Sequence, residues 1–181
     1  MSRVELTIAG LGGQGSILAG VILGTAAVTR DGKYAVQTQA YSSELRGGFA
    51  AAWVVVDDEP VVFPRVVRPD VLVAQAQDSV NRFAKDLKPE GLCICDTDLV
   101  SQPPRGVARL YGLAATSLCR QELKAPVTAN MAMLGALARL TGVVSVAALK
   151  AAIAEAVPAG KAELNVKAFD LGFERVAPLG N

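Results

Sequence analysis

Val4-Glu5-Leu6-Thr7-Ile8-Ala9 runs into Gly10-Leu11-Gly12-Gly13-Gln14-Gly15, and that turn runs into Ser16-Ile17-Leu18-Ala19-Gly20-Val21-Ile22-Leu23. The first piece is short, apolar and suited to a strand. The last has apolar residues at Ile17, Val21 and Ala27, with Leu18, Ile22 and Leu23 beside them, which is helical spacing with a broad face to bury. Between them, glycines let the backbone turn tightly and let a second molecule approach, because no Cβ stands in the way. The helix then aims its free N–H groups and the positive end of its dipole over the turn. Strand, glycine turn and helix predict a Rossmann-like α/β domain.

Gly10, Gly12 and Gly15 satisfy G-x-G-x-x-G. A dinucleotide site also uses an acid about 20 positions further on, at the end of the second strand, to hold a ribose. The second strand is expected at Tyr34-Ala35-Val36-Gln37-Thr38-Gln39, and it ends without one. Asp31 has the distance, but Arg30-Asp31-Gly32 reads as the turn before that strand. The fold implication is kept and NAD is discounted. The glycines then either face a ligand or partner, or only allow close helix–strand packing.

Beyond this stretch, 181 residues predict a single domain over 1–181 with a substantial core. The composition is 51% hydrophobic and 19% charged, as in a compact globular protein or a subunit with a large interface. A net charge of +1 gives no pull toward nucleic acid or an anionic membrane. No uncharged apolar run reaches the ~18 residues of a membrane span. The N-terminus enters a strand at once and is not read as a signal peptide, so a cytoplasmic location is expected.

There is no histidine, which removes every Ser-His and Cys-His nucleophile scheme and makes a zinc site improbable on composition. Three cysteines cannot by themselves make a four-thiolate iron–sulfur site. Cys93 and Cys95 alternate with Leu92 and Ile94, so both are expected on one side of a strand as small buried hydrophobes.

Further strands are expected at 49–56, 71–74, 92–95 and around Arg109-Leu110-Tyr111. Val61-Val62-Phe63 is expected to fold back on 49–56 as a hairpin. Helices are expected over 77–87 with Asp78 or Ser79 as cap, over 114–123, from 127 or 128 to 140, from a Ser145 cap to 157, and over 162–175. The fold class is α/β: a three-layer, mainly parallel sheet with an antiparallel hairpin and a helical C-terminal third.

Chemistry concentrates in a few places. One is the glycine turn with Gln14 and Ser16. Another is Ser43-Glu44-Leu45-Arg46-Gly47-Gly48, expected in a loop with a short helical turn at 42–45 as an option. Both follow strand ends, where ligands of open parallel sheets bind. Arg46 can hold a phosphate or carboxylate bidentately, and Glu44 can pair with it or only stiffen a turn. Asp96-Thr97-Asp98 holds a metal or ribose, or caps the next turn. Asn130 needs a backbone or ligand partner, while Met131 and Met133 read as core. With no Walker lysine, metal cluster or nucleophile in evidence, the chain reads as a ligand- or partner-facing rim and not as a self-sufficient enzyme.

Gly10-Leu11-Gly12-Gly13-Gln14-Gly15 with Ala19-Gly20, Gln37-Thr38-Gln39-Ala40-Tyr41 and Glu44-Leu45-Arg46-Gly47-Gly48 resembles the gamma subunit of 2-oxoacid:ferredoxin oxidoreductases. The resemblance continues through Glu59-Pro60, Pro69-Asp70-Val71-Leu72-Val73-Ala74, Asn130-Met131 with Leu134-Gly135-Ala136-Leu137, and Glu163-Leu164-Asn165-Val166-Lys167-Ala168-Phe169 with Gly172. It implies a subunit of an enzyme that converts a 2-oxoacid and coenzyme A to an acyl-CoA and carbon dioxide, passing electrons to ferredoxin. It implies alpha, beta and ferredoxin-like delta partners. Thiamine diphosphate and 4Fe-4S clusters would lie in those partners, with no cofactor bound by this chain alone and coenzyme A as co-substrate. By position, Gly12, Gly13, Gln14, Gly15, Glu44, Arg46 and Gly47 become candidates for facing the CoA or thiamine region, with no catalytic residue or metal ligand in the chain. The 2-oxoacid itself (2-oxoglutarate, branched-chain, pyruvate or arylglyoxylate) stays open. The rival is a stand-alone nicotinamide or flavin oxidoreductase. A purely structural subunit, whose glycines serve packing, is a third reading.

Overall fold

The computed structural model describes residues 3–42 and 48–180. The elements are β1 (Val4–Leu11), α1 (Ser16–Thr29), β2 (Tyr34–Tyr41), β3 (Phe49–Asp57), β4 (Val71–Ala74), α2 (Gln77–Phe83), β5 (Leu92–Asp96), β6 (Arg109–Leu113), α3 (Ala115–Leu123), α4 (Ala129–Thr141), α5 (Val146–Ala156), α6 (Ala162–Arg175) and β7 (Ala177–Pro178). They form one sheet in the order β2-β3-β1-β4-β5-β6-β7. The centre, β1-β4-β5-β6, is parallel, whereas β3 runs antiparallel to both β1 and β2, and β7 antiparallel to β6.

The α/β class, the antiparallel portion and the helical C-terminal third are as the sequence predicts. The hairpin, however, is made by β2 and β3. Val61-Val62-Phe63 is not a strand, and Val62 is 92% exposed. The reason is geometric: both edges of β3 are already paired, Ala52 facing Ile8 on one side and Gln39 on the other. No edge is left for a returning strand.

Alternation along the strands divides the core. Leu6, Ile8, Val71, Val73, Leu92 and Ile94 face α1, α4, α5 and α6, while Leu72, Ala74, Cys93 and Cys95 face a thin layer made by α2 and the 3₁₀ turn after it. Asp78 does not cap α2; Ala76 takes that place and Asp78 pairs with Arg82 at 2.5 Å. Ser145 does cap α5, its Oγ accepting from Ala148 N at 3.2 Å.

In α4 every residue from Asn130 to Ala138 is buried, as in a helix hidden on all sides. It crosses α6 closely because Gly135 lies against the carbonyl of Phe169, and Gly172 against that of Ala132. Helix α1 turns Ala19, Ile22, Leu23 and Ala26 inward. Val21, expected on the buried face, is instead 45% exposed, and with Val28 it lines a groove against β2. Strand β2 is the sheet's edge and carries no charged residue. Among the described residues no helix is long and apolar enough to cross a membrane.

Candidate functional site

The carboxyl ends of β1, β4 and β5 meet at one rim. The glycine turn stands above β1, closed by Gln14 N donating to Leu11 O at 3.0 Å. Gly12 and Gly13 are exposed, and Gln14 and Gly15 half-buried. Gly13 and Gly15 take φ of 93° and 75°, the left-handed region in which a Cβ is strained. Gly12 N donates to Gly48 O at 2.8 Å. That bond sets Gly48, the residue before β3, beside the turn. Glu44, Arg46 and Gly47, with the expected 42–45 turn, fall on or within residues 43–47 and so lie outside the described residues, apart from Ser42, whose N donates to Phe49 O.

The turn is braced from below by a residue that sequence reading missed. Gln75 follows β4 and is 3% exposed. Its Oε1 accepts from Ser16 Oγ at 2.5 Å, its carbonyl accepts from Gln14 Nε2 at 3.1 Å, and Gln14 Oε1 accepts from Leu11 N at 2.5 Å. Gln14 thus braces the turn and lines the cleft beside it. The available signal for Gln75 was an amide directly after the apolar run Val71-Leu72-Val73-Ala74. Asn130, at the start of α4, finds a backbone partner, donating from Nδ2 to Gly15 O at 3.3 Å. Met131 and Met133 are core, each 1% exposed.

Asp96 ends β5 and is 2% exposed. It accepts from Thr116 Oγ1 at 2.9 Å, Asp98 N at 3.1 Å and Ala115 N at 3.2 Å. Burial pushes its carboxyl above the ordinary Asp value, while the donors from Thr116, Asp98 and Ala115 pull it back in part. Asp98 accepts from Ser117 N at 2.6 Å and from its Oγ at 2.8 Å. Asp96 therefore caps the turn that follows it through Asp98 N, the capping alternative, and both carboxylates also accept from the first turn of α3. Asp96 also borders a cleft of about 200 Å³ whose wall includes Gly13, Gln14, Gln75, Thr116 and Val127. Among the described residues no lysine or arginine lines it.

Asp31 is far from this rim in role. Its carboxylate accepts from Ser145 N at 2.6 Å and Ser145 Oγ at 2.7 Å, tying the turn before β2 to the start of α5. The strand beside β1 on that side is antiparallel β3, so a parallel strand end that would present a ribose-binding acid is not where a nicotinamide site needs it.

The thiols are divided. Cys93 and Cys95 lie with Sγ atoms 3.7 Å apart under α2, while Cys119 sits in the core on the other face. The Cys95 hydrogen bond and burial push the Cys93 thiol far up. Thiols parted by the sheet do not fit an iron–sulfur cluster. Among the described residues no group of three or more His, Cys, Asp or Glu is placed to hold a metal ion.

The family described as pyruvate ferredoxin/flavodoxin oxidoreductase matches residues 5–175. The 2-oxoglutarate synthase subunit KorC of Methanocaldococcus jannaschii is 45% identical over 174 residues, covering 95% of this chain and 93% of that protein. The crystal structure of a keto/oxoacid ferredoxin oxidoreductase gamma subunit from Geobacter sulfurreducens superposes with a TM-score of 0.88 at 39% identity, over 97% of each chain. The 2-oxoglutarate:ferredoxin oxidoreductase of Magnetococcus marinus, solved with 2-oxoglutarate, coenzyme A and succinyl-CoA bound, shares the fold. Its TM-score is 0.84 at 24% identity, over 96% of this chain and 31% of that longer chain. With a glycine-turn rim, a matching seven-stranded sheet and this degree of identity, the chain belongs to the pyruvate ferredoxin/flavodoxin oxidoreductase family, as a gamma-type subunit of the 2-oxoacid:ferredoxin oxidoreductases.

Proposed function

We propose that this chain supplies the coenzyme A side of a multisubunit 2-oxoacid oxidoreductase. The reaction joins the acyl group of a 2-oxoacid to the thiol of coenzyme A, releases carbon dioxide and a proton, and sends two electrons to ferredoxin. The observation that carries this reading is the cleft beside the glycine turn, with Gly13, Gln14, Gln75, Asp96 and Thr116 in its wall. It lies at the carboxyl rim, where open α/β sheets bind ligands. Gly12, Gly13, Gln14 and Gly15 face the coenzyme in this reading. Glu44, Arg46 and Gly47 join them on the family resemblance alone. Thiamine diphosphate and the 4Fe-4S clusters belong to the alpha, beta and delta partners, with this chain also serving assembly, in the cytoplasm. The KorC relative, a subunit of a 2-oxoglutarate synthase, supports 2-oxoglutarate as the first 2-oxoacid to try.

The test uses the assembled complex. Val127 is 78% exposed and borders the cleft, so Val127→Trp narrows the cleft without disturbing the core. It should raise KM for coenzyme A and leave KM for the 2-oxoacid unchanged. Arg46→Ala should do the same. If neither variant changes the coenzyme A kinetics, the rim is not the coenzyme's site.

A further inference from the structure

Between β3 and β4 the chain uses more residues than its topology needs. Both strands flank β1, and the ends to be joined lie beside Val4 and Leu6. Two strand spacings, about 10 Å, separate them, a gap that three or four extended residues close, at about 3.3 Å each. The connection, residues 58–70, is thirteen residues long, and nine of them are exposed. It stands out at the amino ends of the parallel strands, on the rim opposite the glycine turn. Long connections without strand or helix of their own are kept for function more often than for folding.

This loop is held in place. At its middle Arg3 Nη2 donates to Phe63 O at 2.6 Å, and Arg3 is itself fixed by Glu5, Nε to Oε1 at 2.9 Å. At its start Glu59 N donates to Asp57 Oδ1 at 3.3 Å. At its end Lys88 N donates to Pro69 O at 3.0 Å and Asp70 N to Glu5 O at 2.7 Å. Pro60, Pro64 and Pro69 fix three φ angles and withhold three N–H groups, which keeps the segment from pairing as a strand. What this frame displays is apolar and cationic. Val62 is 92% exposed, Phe63 58% and Val67 60%. Arg65 and Arg68 are exposed, and neither has a hydrogen bond or ion pair among the described residues.

We propose that loop 58–70 docks this chain onto a companion subunit, with Val62 and Phe63 entering an apolar pocket and Arg65 and Arg68 meeting carboxylates at its rim. The proposal rests on the multisubunit reading above and adds the surface used and the chemistry of the partner's side. A protruding loop calls for a concave partner, and two free guanidinium groups call for carboxylates, which each can hold bidentately. Aromatic side chains and arginine are what interface centres are enriched in. Because the loop is already fixed by Arg3 and the prolines, little ordering is lost on binding. A second copy of this chain fits poorly, since a symmetric contact sets the same patch against itself, arginine facing arginine. An anionic membrane fits poorly too: two cations fall short of a polybasic segment, and Asp58 and Glu59 stand at the base of the loop.

The experiment purifies the complex from its native cells under anoxic conditions through a tag on the full chain, and reads thiamine diphosphate and iron recovered per mole of chain. Phe63→Asp, and separately Arg65→Glu with Arg68→Glu, should each lower both about tenfold or more. Arg65→Lys with Arg68→Lys should lose less, because the charge is kept and only the bidentate geometry is lost. Lys85→Glu with Arg105→Glu makes the same change of charge on exposed residues elsewhere and should recover the parent's amounts. Thermal unfolding of the isolated full-length variants should match the parent, since these side chains lie outside the core. Photo-crosslinking from p-benzoylphenylalanine at position 62 should join the loop to a peptide of a thiamine- or iron-carrying subunit that contains Asp or Glu. Full recovery with both loop variants, an equal loss with the Lys85 and Arg105 pair, or a crosslink to a second copy of this chain or to phospholipid would overturn the docking proposal and leave the multisubunit reading standing. If the parent chain itself recovers neither thiamine diphosphate nor iron, the multisubunit reading fails and the docking proposal with it.

Discussion

At the carboxyl rim Gly15 enters α1 with φ of 75°, and a Cβ there would press on the Asn130 side chain. On the helical layer Gly172 lies within α6, and a Cβ there would meet the backbone carbonyl of Ala132. Both positions exclude a side chain, for different reasons. The rim is held by amides, Asn130, Gln14 and Gln75, that can rotate or be replaced. The α4–α6 crossing is held by main chain against main chain, with Gly135 against Phe169 O as its counterpart. A side chain can give way at modest cost; a buried helix backbone cannot. The molecule therefore has a rigid support and an adjustable rim.

The largest effect should come from Gly172→Ala. It demands separation of two buried helices and should cost about 3 kcal/mol or more in urea unfolding, the upper end of overpacking. A loss under about 1 kcal/mol would show that the crossing can relax, and the contrast with the rim would collapse. Gly15→Ala should come next, at about 2 kcal/mol, from the left-handed backbone and displacement of Asn130. Asn130→Ala alone should cost about 1 kcal/mol, because Gly15 O loses its donor. Combined, Gly15→Ala and Asn130→Ala should cost less than their sum, since the contact is gone and only the φ strain persists. Strict additivity would mean the two residues do not press on each other.

The smallest effect is a pH term confined to the rim. Burial raises the folded Asp96 pKa above its ordinary value of 3.8, so the folded chain binds the proton more tightly than the unfolded one. The resulting stability is fully present below that value and is lost as pH rises through the folded pKa. Urea midpoints followed upward from pH 3.5 should therefore decline less in Asp96→Asn than in the parent. Gly172→Ala should keep the parent's slope. Equal slopes in all three would remove Asp96 from the account.

Local pattern made much of this legible. The strand–turn–helix at residues 4–29, the helix-capping serine at 145 and the buried alternation of Cys93 and Cys95 all depend on neighbours within a few residues. What escaped depends on distance in sequence. Insertion of β3 between β1 and β2 is a pairing choice, and hydropathy alone gave Val61-Val62-Phe63 equal claim to an edge that was already taken. Val21 is as apolar as a core residue yet faces outward, because the 3.6-residue period had several apolar faces to choose from. At the site, the glycines and Asn130 were visible by type, but their contact spans 115 positions. Gln75 gave almost no signal, since one amide after an apolar strand has no spacing to read.

Strand β2 has a consequence for anyone producing the protein. Its eight residues form an open edge with no lysine, aspartate or proline to discourage pairing, and the exposed Val21 and Val28 of α1 stand beside it. Such an edge recruits strands indiscriminately at high concentration. Expression of the chain without its companions should yield soluble aggregates and inclusion bodies. Slow synthesis that keeps the concentration of free chain low is the rational first choice of expression conditions.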